Sequence, residues 1–191
     1  IGSKQAAPFL LDGMSKLEYR GYDSAGIAVL EKGQVRVEKC VGRLDALRQK
    51  LEVNMPESVI GIGHTRWATH GRPSDRNSHP HTDGSGKFVV VHNGIIENYL
   101  ALKEELIAKG VEFSSDTDTE VVAHLMADLF DGDMESTVKK VLKVIKGSYS
   151  LVFMCEAEQD KIICTKKDNP LVIGLGEGEN FIASDIPAII N

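Results

Sequence analysis

Residues 59–63 and 88–91 are short apolar runs with no polar alternation, a pattern that predicts strands buried on both faces. Each run gives way to polar residues. Gly61-Ile-Gly-His-Thr-Arg-Trp-Ala-Thr-His-Gly71 closes the first and Val89-Val-Val-His-Asn-Gly-Ile-Ile-Glu-Asn98 the second, with His79-Pro-His81 between them and Ser115-Asp-Thr-Asp-Thr-Glu120 behind. Two buried strands therefore deliver loops rich in chemically capable side chains.

The rest of the chain mixes helices and strands without a repeat or a low-complexity linker. Ala7, Leu10, Leu11, Met14 and Leu17 recur at helical spacing and predict an amphipathic helix over 4–18, with Pro8 in its first turn and Gly21 beyond its end. Residues 26–31 and 34–40 read as a hairpin turning on Lys32-Gly33. Leu44, Leu47 and Leu51 predict a short helix; Ile95, Tyr99, Leu102 and Leu106 another, ended by Gly110. Thr117-x-x-Glu120 reads as a capping box that opens a helix burying Val122, Leu125 and Leu129. Val138, Val141, Leu142 and Ile145 make one more, closed by Gly147. Strands follow at 149–155, 161–165, 171–173 and 181–183, and the glycine-rich stretch 174–178 reads as a turn. Strands fall in hairpin groups and helices in a middle group, which favours an α+β fold with antiparallel sheets over a doubly wound sheet.

At 191 residues the chain suits one domain or a large piece of one. Its net charge of −6, with both signs interleaved, leaves no basic face for nucleic acid or anionic lipid. No apolar run approaches the roughly 20 residues a membrane helix needs, and nothing at the start resembles a signal peptide. The three cysteines, Cys40, Cys155 and Cys164, lie far apart without metal-type spacing and read as thiols in a reducing cytoplasm.

Arg66 offers a planar donor fork matched to a carboxylate. Asn93 and the backbone N–H of Gly94 are a usable pair of donors for the oxyanion formed when a nucleophile attacks a carbonyl, and after Gly94 the chain reads as helix, which places the pair at a strand-to-helix junction. Asp118 is the acid an amino-acid ammonium needs if Arg66 takes the carboxylate. Each residue taken singly has a plainer reading: Arg66 an ion pair, Trp67 core filler or equally a lid, Asn93-Gly94 a hairpin turn, Asp118 a first-turn acid offsetting the helix dipole. Five of the six histidines fall between His64 and His92, which raises a metal-dependent hydrolase as an alternative. Their spacing matches no metal-binding motif, so no metal is expected.

The residues Leu17-Glu-Tyr-Arg-Gly-Tyr-Asp-Ser-Ala-Gly26, the His64 and Val89 motifs, His79-Pro-His81, Thr117-Asp-Thr-Glu120, Pro170-Leu-Val-Ile-Gly-Leu-Gly176 and Asn180-Phe-Ile-Ala-Ser-Asp185 carry a resemblance that covers nearly the whole chain. It resembles the glutaminase domain of the glutamine-fructose-6-phosphate aminotransferase (glucosamine-6-phosphate synthase) family. The resemblance implies an N-terminal nucleophile hydrolase fold, a four-layer αββα sandwich of two antiparallel sheets. It implies glutamine hydrolysis by an N-terminal cysteine, whose own amine acts as base, with ammonia passing to sugar isomerase domains that turn fructose 6-phosphate into glucosamine 6-phosphate. By the same resemblance Arg66 binds the carboxylate of L-glutamine and Asp118 its ammonium, Thr69 and His70 line the pocket, Asn93 and Gly94 form the oxyanion hole, and Trp67 belongs to a closing loop. His79 and Arg20 support the site or the terminal segment. No cofactor is implied; the partners are L-glutamine and the isomerase domains, through which the enzyme forms a homodimer.

Family members open with Cys-Gly-Ile-Val-Gly, whereas this chain starts at Ile1-Gly2. The expectation is a glutaminase domain over 1–191 that lacks its first few residues and its C-terminal end, without the isomerase domains and with open sheet edges that invite dimer contacts. Cys40, Cys155 and Cys164 lie in predicted strands and have no free α-amine as base, so the 191 residues are expected to be inactive as a glutaminase. A noncatalytic glutamine-binding module is the nearest alternative.

Overall fold

The computed structural model describes residues 1–67 and 71–190. Strand β1 (Ser24–Glu31) is the clearest guide to how the layers form. Its odd-numbered residues Ala25, Ile27 and Val29 pack under helices α1 (Ala6–Ser15) and α2 (Leu44–Glu52), while Ala28 and Leu30 face the opposite way. Alternation of side chains across a strand makes an all-apolar strand the signature of a sheet covered on both faces. β1 pairs antiparallel with β2 (Gln34–Val41) and with β3 (Gly61–Arg66), giving the order β2-β1-β3. The turn at Lys32-Gly33 has positive φ at both residues, 51° and 84°, as a tight hairpin that follows strand twist requires.

The second sheet has the order β4-β5-β6-β7, from β4 (His81–Thr82), β5 (Phe88–Ile96), β6 (Gly147–Cys155) and β7 (Ile163–Lys167). Phe88 and Val90 of β5 join Leu151 and Phe153 of β6 in a core shared with α3 (Tyr99–Ala108), α4 (Glu120–Leu129) and α5 (Met134–Val144). Val89, Val91 and Met154 point the other way, onto Ala28, Leu30, Ile60 and Ile62 of the first sheet. The stack is helix, sheet, sheet, helix, so the predicted α+β four-layer αββα architecture is present. A short hairpin of β8 (Val172–Leu175) and β9 (Asn180–Ala183) follows, with the glycine-rich stretch at its turn, and after it comes a 3-10 turn (Ile186–Ala188). Among the described residues no helix is long and apolar enough to cross a membrane.

Several sequence expectations need correction. The run expected at 59–63 pairs as Gly61–Arg66, and Val59 is 43% exposed, because only Ile60 and Ile62 face the other sheet. The first helix stops at Ser15, and Glu18–Arg20 forms a separate 3-10 turn. β5 does not end before Asn93: it continues to Ile96 in a nine-residue ladder with β6, so Asn93 and Gly94 sit inside a strand and not at a strand-to-helix junction. Thr117 is not a cap, since α4 starts at Glu120 with Thr119 as its cap residue. Glu120 instead accepts the N–H groups of Ser114 and Ser115, upstream of the expected box. Gly147 is the first residue of β6, paired with Ile96, and α5 ends where Ile145 turns extended.

Candidate active site

The alternation that builds the core also builds the site. Along β3 the inter-sheet row Ile60, Ile62 continues with His64 and Arg66; along β5 the row Val89, Val91 continues with Asn93. Polar residues thus replace apolar ones at one end of the layer between the sheets. There a cavity of about 310 Å³ opens, lined by Arg66, Trp67, Asn93, Gly94 and Asp118, with Arg20 and His79 also on its wall. That volume lies at the small end of ligand pockets, the scale of a single amino acid.

Arg66 is the last residue of β3, paired with Ser24, and is buried. Its Nη2 donates to the Gly71 carbonyl at 3.1 Å, and Nη1 lies 3.8 Å from Asp23. Burial lowers the guanidinium pKa, and the carboxylates of Asp23 and Asp118 oppose that shift. A guanidinium keeps its proton under these conditions, so the cavity holds a fixed cation. Asp118 is buried in the bend before α4; its Oδ2 accepts the Ile96 N–H at 2.8 Å, and Thr119 Oγ1 donates to Oδ1 at 3.4 Å. A cation and an anion, placed by different strands and loops, therefore face one small space.

Asn93 Oδ1 lies 2.9 Å from His64 Nε2. A carboxamide oxygen only accepts, so Nε2 carries the ring proton and the Asn93 NH2 remains a donor. Burial pulls His64, His79 and His81 below the ordinary imidazole range, His81 to about 3, and all three are neutral near pH 7. His79 stacks on His64 with ring centroids 4.3 Å apart and meets His81 edge-on at 4.7 Å. His81 Nε2 in turn contacts Thr117 Oγ1 at 3.1 Å. These rings pack on one another, and among the described residues no group of three or more His, Cys, Asp or Glu side chains is arranged to hold a metal ion.

The other expected residues fall as follows. Trp67 is 60% exposed at the rim, edge-on to Tyr22 at 5.4 Å, and so is not core filler. Arg20 donates to the Ser184 carbonyl at 3.3 Å and lies 3.9 Å from Asp185, tying the 3-10 turn to the far end of the chain. Thr69 and His70 lie outside the described residues. Sequence reasoning gave His64 no role beyond the histidine cluster and overlooked Asn169, whose Nδ2 donates to the Asn93 carbonyl at 3.0 Å. The spacing of His64 two residues before Arg66 on one strand face was a usable signal; nothing local marked Asn169. No thiol joins the cavity wall: Cys40, Cys155 and Cys164 sit on β2, β6 and β7, and burial pushes each pKa up, away from thiolate character.

A family model described as "Glutamine amidotransferase domain" matches residues 64–191, about two thirds of the chain. The chain belongs to the glutamine amidotransferase domain family. The matched span includes Arg66, Asn93, Gly94 and Asp118. Among curated relatives, the glutamine-fructose-6-phosphate aminotransferase (isomerizing) of Caldanaerobacter subterraneus subsp. tengcongensis is 57% identical over 190 residues, and that of Clostridium tetani 54% over 191. Both alignments cover 100% of this chain and 31% of the relative, so the amidotransferase domain described here spans under a third of their length. A solved glutamine phosphoribosylpyrophosphate amidotransferase from B. subtilis superposes with a TM-score of 0.85 at 28% identity, over 98% of this chain and 41% of that one. These neighbours place the domain among amidotransferases of the N-terminal nucleophile hydrolase fold.

Proposed function

We propose that this domain binds L-glutamine in the 310 Å³ cavity and that, within a whole enzyme, the amide nitrogen released there serves amino-sugar synthesis from fructose 6-phosphate. The observation that carries the reading is the convergence of Arg66, Asp118 and the Asn93-Gly94 pair on one cavity. The Arg66 fork takes the α-carboxylate and Asp118 the α-ammonium. The side-chain amide then reaches the Asn93 NH2 and the Gly94 N–H, donors suited to the oxyanion that forms when a thiolate adds to the amide carbon. Collapse of that intermediate breaks the C–N bond, the nitrogen leaves protonated as ammonia, and water releases glutamate from the thioester. Asn93 and Gly94 contribute by favouring charge that exists only along the reaction path, the kind of interaction that raises kcat.

None of the three thiols lines the cavity, so on this reading the 191 residues hold glutamine without cleaving it. Thr69 and His70 line the pocket on this reading, Trp67 closes over it and guides ammonia, and His79 and Arg20 support it. The names of the relatives, an aminotransferase of fructose 6-phosphate that is also isomerizing, support sugar isomerase domains as the partners that receive ammonia; a homodimer formed through those domains belongs to the same proposal. Isothermal calorimetry of the 191-residue chain decides the central claim. Saturable binding of L-glutamine with one site and no ammonia release is the expected result; no heat of binding up to tens of millimolar glutamine overturns it.

A further inference from the structure

We propose that Asn169 and His64 are positioning residues that aim the two oxyanion donors of this site, each by holding the oxygen of the amide whose nitrogen faces the substrate. The inference rests on the glutamine reading above and adds to it two residues that never touch the ligand's reacting atoms.

The backbone donor comes first. A trans peptide is planar, so the Asn93 carbonyl and the Gly94 N–H share a plane and point in opposite directions. Whatever grips that carbonyl sets the direction of that N–H. Asn169 Nδ2 grips it at 3.0 Å and also reaches Ser148 Oγ at 3.2 Å, so its amide is anchored to both β5 and β6. The segment that presents Asn169 is itself stitched down. Asp168, at φ 70°, bridges to Tyr149, and Ser150 Oγ donates to the Pro170 carbonyl at 3.2 Å. Contact is so close at Gly94, where φ is 130°, that an added Cβ would stand 2.5 Å from Asn169 Nδ2 and 2.0 Å from the Ser148 carbonyl.

The side-chain donor is handled the same way from the other sheet. His64 Nε2–H holds Asn93 Oδ1 at 2.9 Å, which turns the Asn93 NH2 away from β3 and leaves it for the cavity. Stacking on His79 fixes the plane of the His64 ring. One strand thus presents two donors, each braced by a partner on a different neighbouring element. Preorganised donors act without reorganising during the reaction, and misaiming one weakens the transition state more than the bound ground state.

Two measurements test this. In the 191-residue chain, residual dipolar couplings report the direction of the Gly94 N–H; Asn169→Ala is expected to change that coupling while residues 150–154 keep theirs. In the whole enzyme, Asn169→Ala and His64→Ala are each expected to lower kcat for glutamine hydrolysis by about ten- to a hundredfold, less than or near the loss from deleting a donor outright, with KM within about threefold. His64→Gln, whose Nε2 can donate to Asn93, is expected to recover most of the loss. An unmoved Gly94 coupling, a KM that rises while kcat stays, or no benefit from His64→Gln over His64→Ala would overturn the proposal. Failure of the unmodified chain to bind glutamine is a separate result, which overturns the functional reading while the Gly94 coupling still reports on Asn169.

Discussion

The two ends of the layer between the sheets are built on the same strands and do opposite things. At one end Ala28, Leu30, Ile60, Val89 and Met154 close a dry core; at the other His64, Arg66 and Asn93 lie further along the same strands and face a cavity. Nothing in the backbone periodicity changes between them. What changes is that each buried polar group at the second end needs a named partner, since an unpaired one costs several times what a buried methyl group contributes. The apolar end is therefore tolerant in identity and sensitive to volume. The polar end is sensitive to identity.

The largest expected effect of a single substitution lies at the dry end. Met154 is fully buried, and Met154→Ala is expected to lower unfolding free energy by about 2–5 kcal/mol in urea while leaving glutamine affinity within about twofold. A large affinity loss would show that the two ends are not separable. On the proposed reading Arg66→Ala, at the wet end, removes the charged partner of the glutamine carboxylate and should weaken binding by roughly 1.5–3 kcal/mol, about ten- to more than a hundredfold. Calorimetry checks it, and unchanged affinity would take Arg66 out of the binding site.

Protonation sharpens the contrast further. The folded pKa values of His64, His79 and His81 lie below the ordinary value, so as pH falls the unfolded chain takes up protons first. Stability is then complete above about pH 6.5 and drains as pH falls toward each folded pKa, at up to about 1.4 kcal/mol per pH unit for each imidazole. Glu120, held down against its burial by His124, Ser114 and Ser115, adds its own loss only below its unfolded value near pH 4.5, so urea titrations between pH 7 and 5 separate it from the histidines and from the Ile1 amine, which burial also lowers. A flat profile there would mean the rings are solvated. The smallest effect is expected from Thr117→Val, which deletes the contacts to His81 and Ser115 at a cost of about 1–2 kcal/mol and should leave Arg66-dependent binding intact.

Much of this was legible in the residues. The Lys32-Gly33 turn, the apolar strands and the leucines of α2 specify their structure locally, and the layers follow from which faces are apolar. Arg66, Asn93 and Asp118 stood out because their side chains have few uses in a core. The errors share one cause, which is that a partner outside the local pattern overrode it. Ile95 and Tyr99 fit a helical period, yet β5 continues past Gly94 because β6 offers it nine partners. Glu120 looked like the closing half of a capping box, but its carboxylate is taken by Ser114 and Ser115. His64 and Asn169 escaped for the same reason, since their partner Asn93 lies 29 and 76 residues away.

The bond from the Ile96 N–H to Asp118 has a consequence for selectivity. It yokes Asp118 to the same strand that carries Gly94, two positions upstream, so the gap between Asp118 and the Asn93-Gly94 pair is a rigid gauge set by strand rise, about 3.3 Å per residue. On the proposed reading asparagine, one methylene shorter than glutamine, cannot touch both jaws at once, and the domain tells the two apart by length before any chemistry begins.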